Sequence, residues 1–242
     1  MEQPVIPDPV VVGDSSLTML ALGDSYTKGE SVETAKNFLN QLADSLIATG
    51  HRVDRPKIIA QTGWRTDQLQ TAITNADIDN KVYDVVTLCI GVNNQYQNAN
   101  FDTYKTQFEQ LLQTALARAG QRKERVLVVS IPDWAYTYYG QHFSKPPEQI
   151  SQEIDQYNAA NRSIAERYGV HYVHITDISR KGLVQPNLVA NDGLHPSAVQ
   201  YTEWVRLLLP VVRAELRWPL SCSPRNGTPF ARCPLPFFAF CE

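Results

Sequence analysis

Five short apolar segments alternate along this chain with segments of helical periodicity, and this alternation limits the folds open to it more than any other feature. The apolar segments are predicted strands and occupy residues 17–22, 57–60, 82–90, 125–131 and 170–175. Between them, apolar residues recur at three- and four-residue spacing, as in the helix that carries Phe38, Leu42 and Leu46. Strands that alternate with helices form a parallel sheet covered on both faces. The sequence therefore predicts an α/β fold with a five-stranded parallel sheet.

The predicted domain covers residues 17–217, preceded by an N-terminal extension over residues 1–16. A chain of 242 residues with 43% hydrophobic residues can bury a core of this size. The last predicted helix runs from Ala198 to Leu216. Residues 218–242 are rich in proline, contain three of the four cysteines and show no regular period. We expect them to form an irregular tail outside the core, either a biological appendage or the product of a cloning junction.

Charge and hydropathy exclude several classes of partner. The net charge is −3 and the basic residues are dispersed, so we expect no nucleic-acid partner. No segment approaches the roughly 20 apolar residues that span a bilayer. The N-terminus lacks the basic start and apolar stretch of a secretory signal, which predicts a cytoplasmic protein, although removal of a leader would leave export open. The cysteine spacings match no zinc motif, we expect no bound metal, and the oligomeric state is left open.

The tripeptide Gly-Asp-Ser occurs twice, at residues 13–15 and 23–25. Ligands of an open parallel sheet bind outside the carboxyl ends of its strands. The first copy enters the first strand and the second copy leaves it, so about 20 Å of strand separates the two serines. Taken alone, either copy is better explained as a turn or a helix cap. Only Ser25, however, lies at the edge of the sheet where ligands are expected to bind, and Ser15 is predicted to lie in a turn without a catalytic role.

Three other short stretches lie at the same edge as Ser25. Residues 61–64 (QTGW) follow the second strand, residues 91–94 (GVNN) follow the third, and residues 192–195 (DGLH) precede the last helix. Each is explained locally as a turn or a helix start. Their convergence with Ser25 on one edge is what favours a catalytic site.

The residue types in these stretches fit acyl transfer by a serine. A serine hydroxyl is a weak nucleophile unless a base takes its proton and a third group orients the base. His195 and Asp192 can serve as that base and its partner. The oxyanion formed from an ester needs preorganised donors, which the backbone N–H groups of Ser25 and Gly63 and the amide of Asn93 can supply.

Ser25, Gly63, Asn93 and His195 match, in order and context, the four sequence blocks of the SGNH hydrolase superfamily, also called GDSL-like lipases and acylhydrolases. The resemblance covers about residues 17–217. It implies a flavodoxin-like three-layer α/β/α sandwich and hydrolysis of small-molecule esters without a metal or other cofactor. It also implies that Asp192 orients His195.

Two residues beside the expected site depart from the family pattern. Tyr26 occupies the position of Leu in the Gly-Asp-Ser-Leu motif that gives the family its name, and Asn94 occupies a position where many members have Asp. Both leave the acyl and leaving-group preference open. The residues expected to form the substrate pocket are Asp24, Tyr26, Trp64, Asn94, Tyr96 and Trp134. Trp134 belongs to an aromatic-rich segment, residues 132–143, predicted to be a loop that either walls the pocket or packs on the body of the domain.

The leading functional hypothesis is a serine esterase for short-chain carboxylic esters. A second hypothesis keeps the site but makes the substrate an acetylated carbohydrate, and a third is a non-catalytic flavodoxin-like binding module. The common α/β-hydrolase motif G-x-S-x-G is excluded because Thr27 stands where it requires glycine. The chain also contains no phosphate-binding, zinc-protease or dinucleotide motif.

Overall fold

The strands form one parallel sheet in the order β2-β1-β3-β4-β5. The structure is a computed structural model that describes residues 16–76, 78 and 81–216. The strands are β1 (Met19–Asp24), β2 (Lys57–Gln61), β3 (Val85–Cys89), β4 (Val126–Val129) and β5 (His171–Val173). Every neighbouring pair is parallel. The predicted α/β fold with a five-stranded parallel sheet is confirmed, and its strand order is that of flavodoxin-like folds.

Nine α-helices connect and cover the strands of the described chain. They are α1 (Ser25–Lys28), α2 (Phe38–Ala48), α3 (Thr66–Asn75), α4 (Val92–Tyr96), α5 (Phe101–Arg118), α6 (Tyr138–Gln141), α7 (Pro147–Tyr168), α8 (Thr176–Ser179) and α9 (Ala198–Leu216). Helix α2 packs on α9, whereas α5 packs on both α3 and α7. Because β1, β3 and β4 are buried along their whole length, the two groups of helices cover opposite faces of the sheet.

Large aromatic side chains fill the layer between α2 and α9. The ring of Phe38 lies 5.5 Å from that of Trp204 and 6.1 Å from that of Tyr201, measured between centroids. All three residues are fully buried. This packing fixes the start of α9, and therefore the loop that precedes it, against the body of the domain.

The strand order places a crevice at the carboxyl ends of β1 and β3. From β1 the chain moves outward to β2 and then returns past β1 to β3, so the direction of winding reverses between β1 and β3. Ligands of open α/β sheets bind at this reversal. Helix α1 starts directly after β1 with Ser25, and α4 begins three residues after the end of β3 and contains Asn93. The fold therefore brings these two side chains to the crevice.

The segment 132–143, predicted to be a loop, is largely helical. It contains a 3-10 helix at Trp134–Tyr136 and helix α6. Sequence periodicity misses such short elements, because they are held by caps: the Asp133 carboxylate accepts from the N–H of Ala135, and the Thr137 hydroxyl accepts from the N–H of Gly140. All predicted strand ends but the start of β2 are also shifted, by one to three residues, so that Asp24 closes β1.

Three expectations fall wholly or largely outside the described residues. They concern the N-terminal extension, Ser15 within it, and the tail over residues 218–242. The proposed domain boundaries therefore stay predictions. Among the helices that the structure describes, none combines the length and apolar character needed to cross a membrane.

Candidate active site

A cavity of about 190 Å³ opens at the carboxyl ends of β1 and β3. It is lined by Ser25, Tyr26, Thr62, Gly63, Val92, Asn93, Tyr96, Trp134, Tyr139, Leu194 and His195. The four stretches that the sequence placed on one edge of the sheet thus each contribute a wall residue. The structure brings Ser25, Gly63, Asn93 and His195 together around one space, although 170 positions of sequence separate the first from the last.

Ser25 occupies a tight strand-to-helix turn. The Asp24 carboxylate caps α1 by accepting from the N–H of Tyr26 at 3.0 Å. A Cβ atom at Gly23 would lie 2.4 Å from the carbonyl oxygen of Cys89 on β3 and 2.0 Å from the Thr27 hydroxyl oxygen, so only glycine fits this turn. As the first residue of α1, Ser25 has a backbone N–H without an intrahelical acceptor. Its side chain is buried at the cavity wall.

His195 is held against Asp192 by a short hydrogen bond between its Nδ1 and the Asp192 Oδ2, at 2.6 Å. The loop that carries both residues is closed by a hydrogen bond from the N–H of Ala190 to the carbonyl of His195 at 2.8 Å. Gly193 turns the loop with a φ of +71°, a conformation that favours glycine. Because Nδ1 is engaged, Nε2 is the ring nitrogen left for the cavity.

The Asp192 carboxylate accepts four hydrogen bonds. Its Oδ1 accepts from the N–H groups of Leu194 at 2.9 Å and His195 at 3.0 Å. Its Oδ2 accepts from Nδ1 of His195 and from the hydroxyl of Ser31, each at 2.6 Å. Partial burial acts to raise the pKa of Asp192, but these hydrogen bonds, led by that from Ser31, outweigh it and lower the pKa to about 2. Asp192 is therefore ionised at neutral pH.

The Tyr26 ring packs beside the imidazole of His195. The two ring centroids are 5.3 Å apart and the planes are tilted by 52°. The tyrosine is itself fixed, because the hydroxyl of Tyr201 on α9 donates to its carbonyl oxygen at 2.9 Å. Burial, and then the charges of Asp24 and Asp192, raise the pKa of Tyr26 well above its usual value. Tyr26, which replaces the Leu of the family motif, thus forms an apolar wall against His195.

Gly63 and Asn93 also line the cavity, and each carries a hydrogen-bond donor. Gly63 has a φ of +84°, and a Cβ at this position would meet open space, so its requirement for glycine comes from the backbone conformation. The Nδ2 atom of Asn93 is buried and unpaired; it faces the Asp24 carboxyl, whose pKa it lowers, without a hydrogen bond of ordinary geometry. An unpaired buried donor at a cavity wall is suited to receive a ligand oxygen.

The Asp24 carboxyl lies beneath the turn that carries Ser25. It is buried, and its Oδ2 has no hydrogen-bond partner. Burial raises its pKa from 3.8 to about 7, against the smaller lowering effects of the N–H groups of Tyr26 and Asp24 and the Asn93 amide. A buried acid that titrates near neutral pH therefore underlies the cavity.

An aromatic cluster forms the outer wall. The hydroxyls of Tyr96 and Tyr139 are 2.8 Å apart, and the Tyr96 ring packs edge-on against Trp134 with centroids 5.5 Å apart. Trp134 is held by a hydrogen bond from its Nε1 to Oε1 of Gln95 at 2.9 Å, and Gln95 in turn donates to Glu153 at 2.6 Å. The wall is thus built from α4, the segment after β4 and α7.

Of the six residues expected to form the pocket, Tyr26, Tyr96 and Trp134 line the cavity and the other three do not. Asp24 points inward as the cap of α1. The Asn94 side chain is buried and exchanges hydrogen bonds with Thr66, its Oδ1 with the N–H at 3.1 Å and its Nδ2 with the hydroxyl at 2.8 Å. Trp64 packs partly buried against the hydrophobic core. Sequence adjacency suggested these positions, but the direction of each side chain is decided by its packing.

Ser31 was missed by the sequence reasoning, although it contacts Asp192. It lies six residues after Ser25 in a loop, where serine is an ordinary residue, so no local signal marks it.

Within the described ranges, no group of three or more histidine, cysteine or acidic residues is arranged to hold a metal ion.

The chain belongs to the GDSL-like lipase/acylhydrolase family, whose family model matches residues 21–202. This membership supports hydrolase activity. A search of curated protein sequences gave no significant match.

Solved structures share the fold at low sequence identity. TesA is 16% identical with a TM-score of 0.64, over 82% of this chain and 99% of that chain. A lipase/acylhydrolase from Enterococcus faecalis is 18% identical with a TM-score of 0.62, over 82% and 96%. Axe2, an acetylxylan esterase from Geobacillus stearothermophilus, is 17% identical with a TM-score of 0.59, over 85% and 96%.

Proposed function

We propose that this protein is a serine esterase that hydrolyses short-chain carboxylic esters through an acyl-enzyme on Ser25. The observation that carries the proposal is the single cavity lined by Ser25, Gly63, Asn93 and His195, with His195 held by Asp192. Membership of the acylhydrolase family supports the same reaction class.

In the proposed first step, the Ser25 hydroxyl attacks the ester carbonyl while Nε2 of His195 takes its proton. The Asp192 carboxylate, ionised at neutral pH, stabilises the imidazolium that forms. The same proton then passes to the departing alcohol as the carbon–oxygen bond breaks. In the second step water attacks the acyl-enzyme, with His195 as base, and releases the acid and free Ser25.

The negative charge on the former carbonyl oxygen needs donors that are in place before the reaction. We assign the backbone N–H groups of Ser25 and Gly63 and Nδ2 of Asn93 to this oxyanion hole. Asn93 Nδ2 supports the assignment, because it makes no hydrogen bond of ordinary geometry and faces only the Asp24 carboxyl.

Covalent labelling tests the nucleophile. A fluorophosphonate probe should label the wild-type protein at Ser25, and Ser25→Ala should lose both the label and hydrolysis of nitrophenyl acetate. Ser15→Ala, which changes the other Gly-Asp-Ser copy, is the matched control and should keep both. Equal losses in the two variants would contradict the assignment, and an unlabelled wild-type protein would favour a non-catalytic binding module.

The cavity volume supports a preference for short acyl chains. Pockets for drug-sized ligands typically enclose about 300–1,000 Å³, whereas this cavity encloses about 190 Å³. We therefore expect kcat/KM to be highest for acetyl to butyryl esters and to fall for longer chains. Activity that increases steadily up to long-chain esters would contradict this expectation.

An acetylated carbohydrate is a second candidate substrate, favoured by aromatic side chains at the cavity mouth. Tyr96 is 37% exposed and Tyr139 36%. Exposed aromatic faces suit the apolar faces of sugar rings as well as acyl chains. That Axe2, which shares the fold, is an acetylxylan esterase makes this candidate worth testing.

A substrate panel separates the two candidates. It should compare acetyl-xylan, acetylated monosaccharides and nitrophenyl esters of increasing chain length. A kcat/KM for acetylated sugars far above that for simple acetate esters would identify the carbohydrate esterase. Comparable values would support the general short-chain esterase.

A further inference from the structure

Ser31 adopts a backbone conformation that serine disfavours. Its φ is +64°, in the left-handed region, and it is one of three such non-glycine residues in the part of the chain described, with Asn98 and Gln121. Glycine would adopt this conformation without strain. The loop that contains Ser31 follows Gly29, the left-handed residue that ends α1. It therefore connects helix α1, which begins with Ser25, to a position beside the loop of Asp192 and His195.

The Ser31 hydroxyl contacts the one Asp192 oxygen that no backbone group holds. Oδ1 is fixed by the N–H groups of Leu194 and His195. Oδ2 accepts only side-chain donors among the described residues: Nδ1 of His195 and the hydroxyl of Ser31, each at 2.6 Å. Apart from the histidine that it must orient, Oδ2 is therefore fixed by Ser31.

We propose that Ser31 is a positioning residue for the catalytic pair, which fixes Oδ2 of Asp192 so that His195 keeps its orientation through the reaction. This inference rests on the proposed esterase function. Asp192 is 30% exposed, so water can replace the hydrogen bond lost with the hydroxyl. Water cannot replace its fixed direction, which comes from a backbone anchored to α1. The expected effect is therefore moderate rather than complete loss of activity.

Several ionisable groups surround the pair and are the same in every variant considered. Tyr26 packs on His195 from α1, and Tyr201 on α9 and the buried Asp24 lie within electrostatic reach of the site. Glu30, at the start of the loop, also interacts with His195; hydrogen bonds from Thr62 and Lys28 lower its pKa. Because none of these is altered, a changed pH profile in a Ser31 variant reports on Asp192 and His195.

The test compares Ser31→Gly with Ser31→Ala and with Gln121→Gly. Ser31→Gly removes the hydroxyl while relieving the backbone, and Ser31→Ala removes the hydroxyl but keeps the strain. Gln121, exposed at a φ of +61° after α5, is the matched control for relief of strain alone. Both Ser31 variants should lose about 5- to 20-fold in kcat on nitrophenyl acetate, and Gln121→Gly should lose none.

Two readouts separate positioning from a structural role. In both Ser31 variants the acid limb of kcat/KM should move to lower pH, because a poorly oriented carboxylate stabilises the imidazolium less. The downfield proton NMR signal of the His–Asp hydrogen bond should move upfield or broaden.

Wild-type kcat and an unmoved acid limb in Ser31→Gly would overturn the proposal. An acid limb that moves to higher pH would also overturn it, since the hydroxyl would then compete with His195 for Oδ2. A wild-type protein with no esterase activity and no labelling of Ser25 would instead refute the proposed function.

Discussion

Replacement of Asp24 by Asn should change how the stability of this protein depends on pH. Asp24 is buried, and its pKa is raised from 3.8 to about 7. Between these values the folded state keeps a proton that the unfolded state releases. The free energy of unfolding of the wild-type protein therefore falls as pH rises from about 4 through 7. An asparagine carries no charge, so the variant lacks this contribution.

The magnitude follows from the distance between the two pKa values. Each pH unit between them corresponds to about 1.4 kcal/mol, so ionisation of Asp24 removes about 4 kcal/mol of stability once the pH is above 7. The asparagine Oδ1 can still accept from the N–H of Tyr26, whereas its amide takes the place of an oxygen without a partner. The neutral acid carries an unpaired O–H donor at the same position, so the exchange changes the stability at pH 4 little. The variant should thus be close to wild type in stability at pH 4 and more stable at pH 8.

Urea unfolding of both proteins at intervals from pH 4 to pH 8 measures this difference directly. The difference in the free energy of unfolding, variant minus wild type, should increase by about 4 kcal/mol across the range. Ionisation of other groups, such as Asp192, is common to both proteins and cancels. Asp102→Asn, at a carboxyl that is 85% exposed, is the control for removal of a carboxyl that is not buried. Parallel curves for Asp24→Asn and wild type would refute the reasoning, since Asp24 would then be ionised without penalty in the folded state.

Asn93→Ala should lower kcat by roughly 10²- to 10³-fold, the usual effect of removing one oxyanion donor; a change confined to KM, measured with nitrophenyl acetate, would mean that Asn93 binds the ground state. In the proposed mechanism the base must be unprotonated, so the kcat/KM of the wild-type protein should rise with pH and then level off. EDTA should leave the rate unchanged, and a loss restored by a divalent ion would contradict a metal-free mechanism. Removal of residues 220–242 should preserve kcat and the melting temperature and reduce disulfide-linked aggregates on non-reducing gels, whereas unfolding of the truncated protein would show that the tail packs on the domain.

The sequence was sufficient for the fold and for the grouping of the candidate site. Parallel strands buried on both faces are near-continuous apolar runs, and helices show apolar residues at three- and four-residue spacing. Both patterns can therefore be recognised in short stretches of sequence. The positions of the strands then place three site residues just after strand ends: Ser25, Gly63 and Asn93. His195 precedes the last helix and lies at the same edge of the sheet. The pairing of Asp192 with His195 is also close to local, because only two residues lie between them.

Side-chain direction was decided only by the tertiary structure. Trp64, Asn94 and Asp24 are adjacent in sequence to site residues, yet each turns into the protein because the core or a buried hydrogen-bond partner takes it. The sequence of residues 132–143 shows no helical periodicity, because the short helices of this segment are held by caps rather than by a repeated apolar face.

The apolar strand segments and the glycine turns determined by themselves which chain segments meet at the edge that holds the candidate site, because those signals depend on residues close together in sequence. Only the tertiary structure brought Ser31 within hydrogen-bonding distance of Asp192, 161 residues away, and placed Asp24 out of contact with water. A hydrogen bond between distant residues and the desolvation of a carboxylate depend on how the whole chain packs, so the types of residue near each position do not encode them.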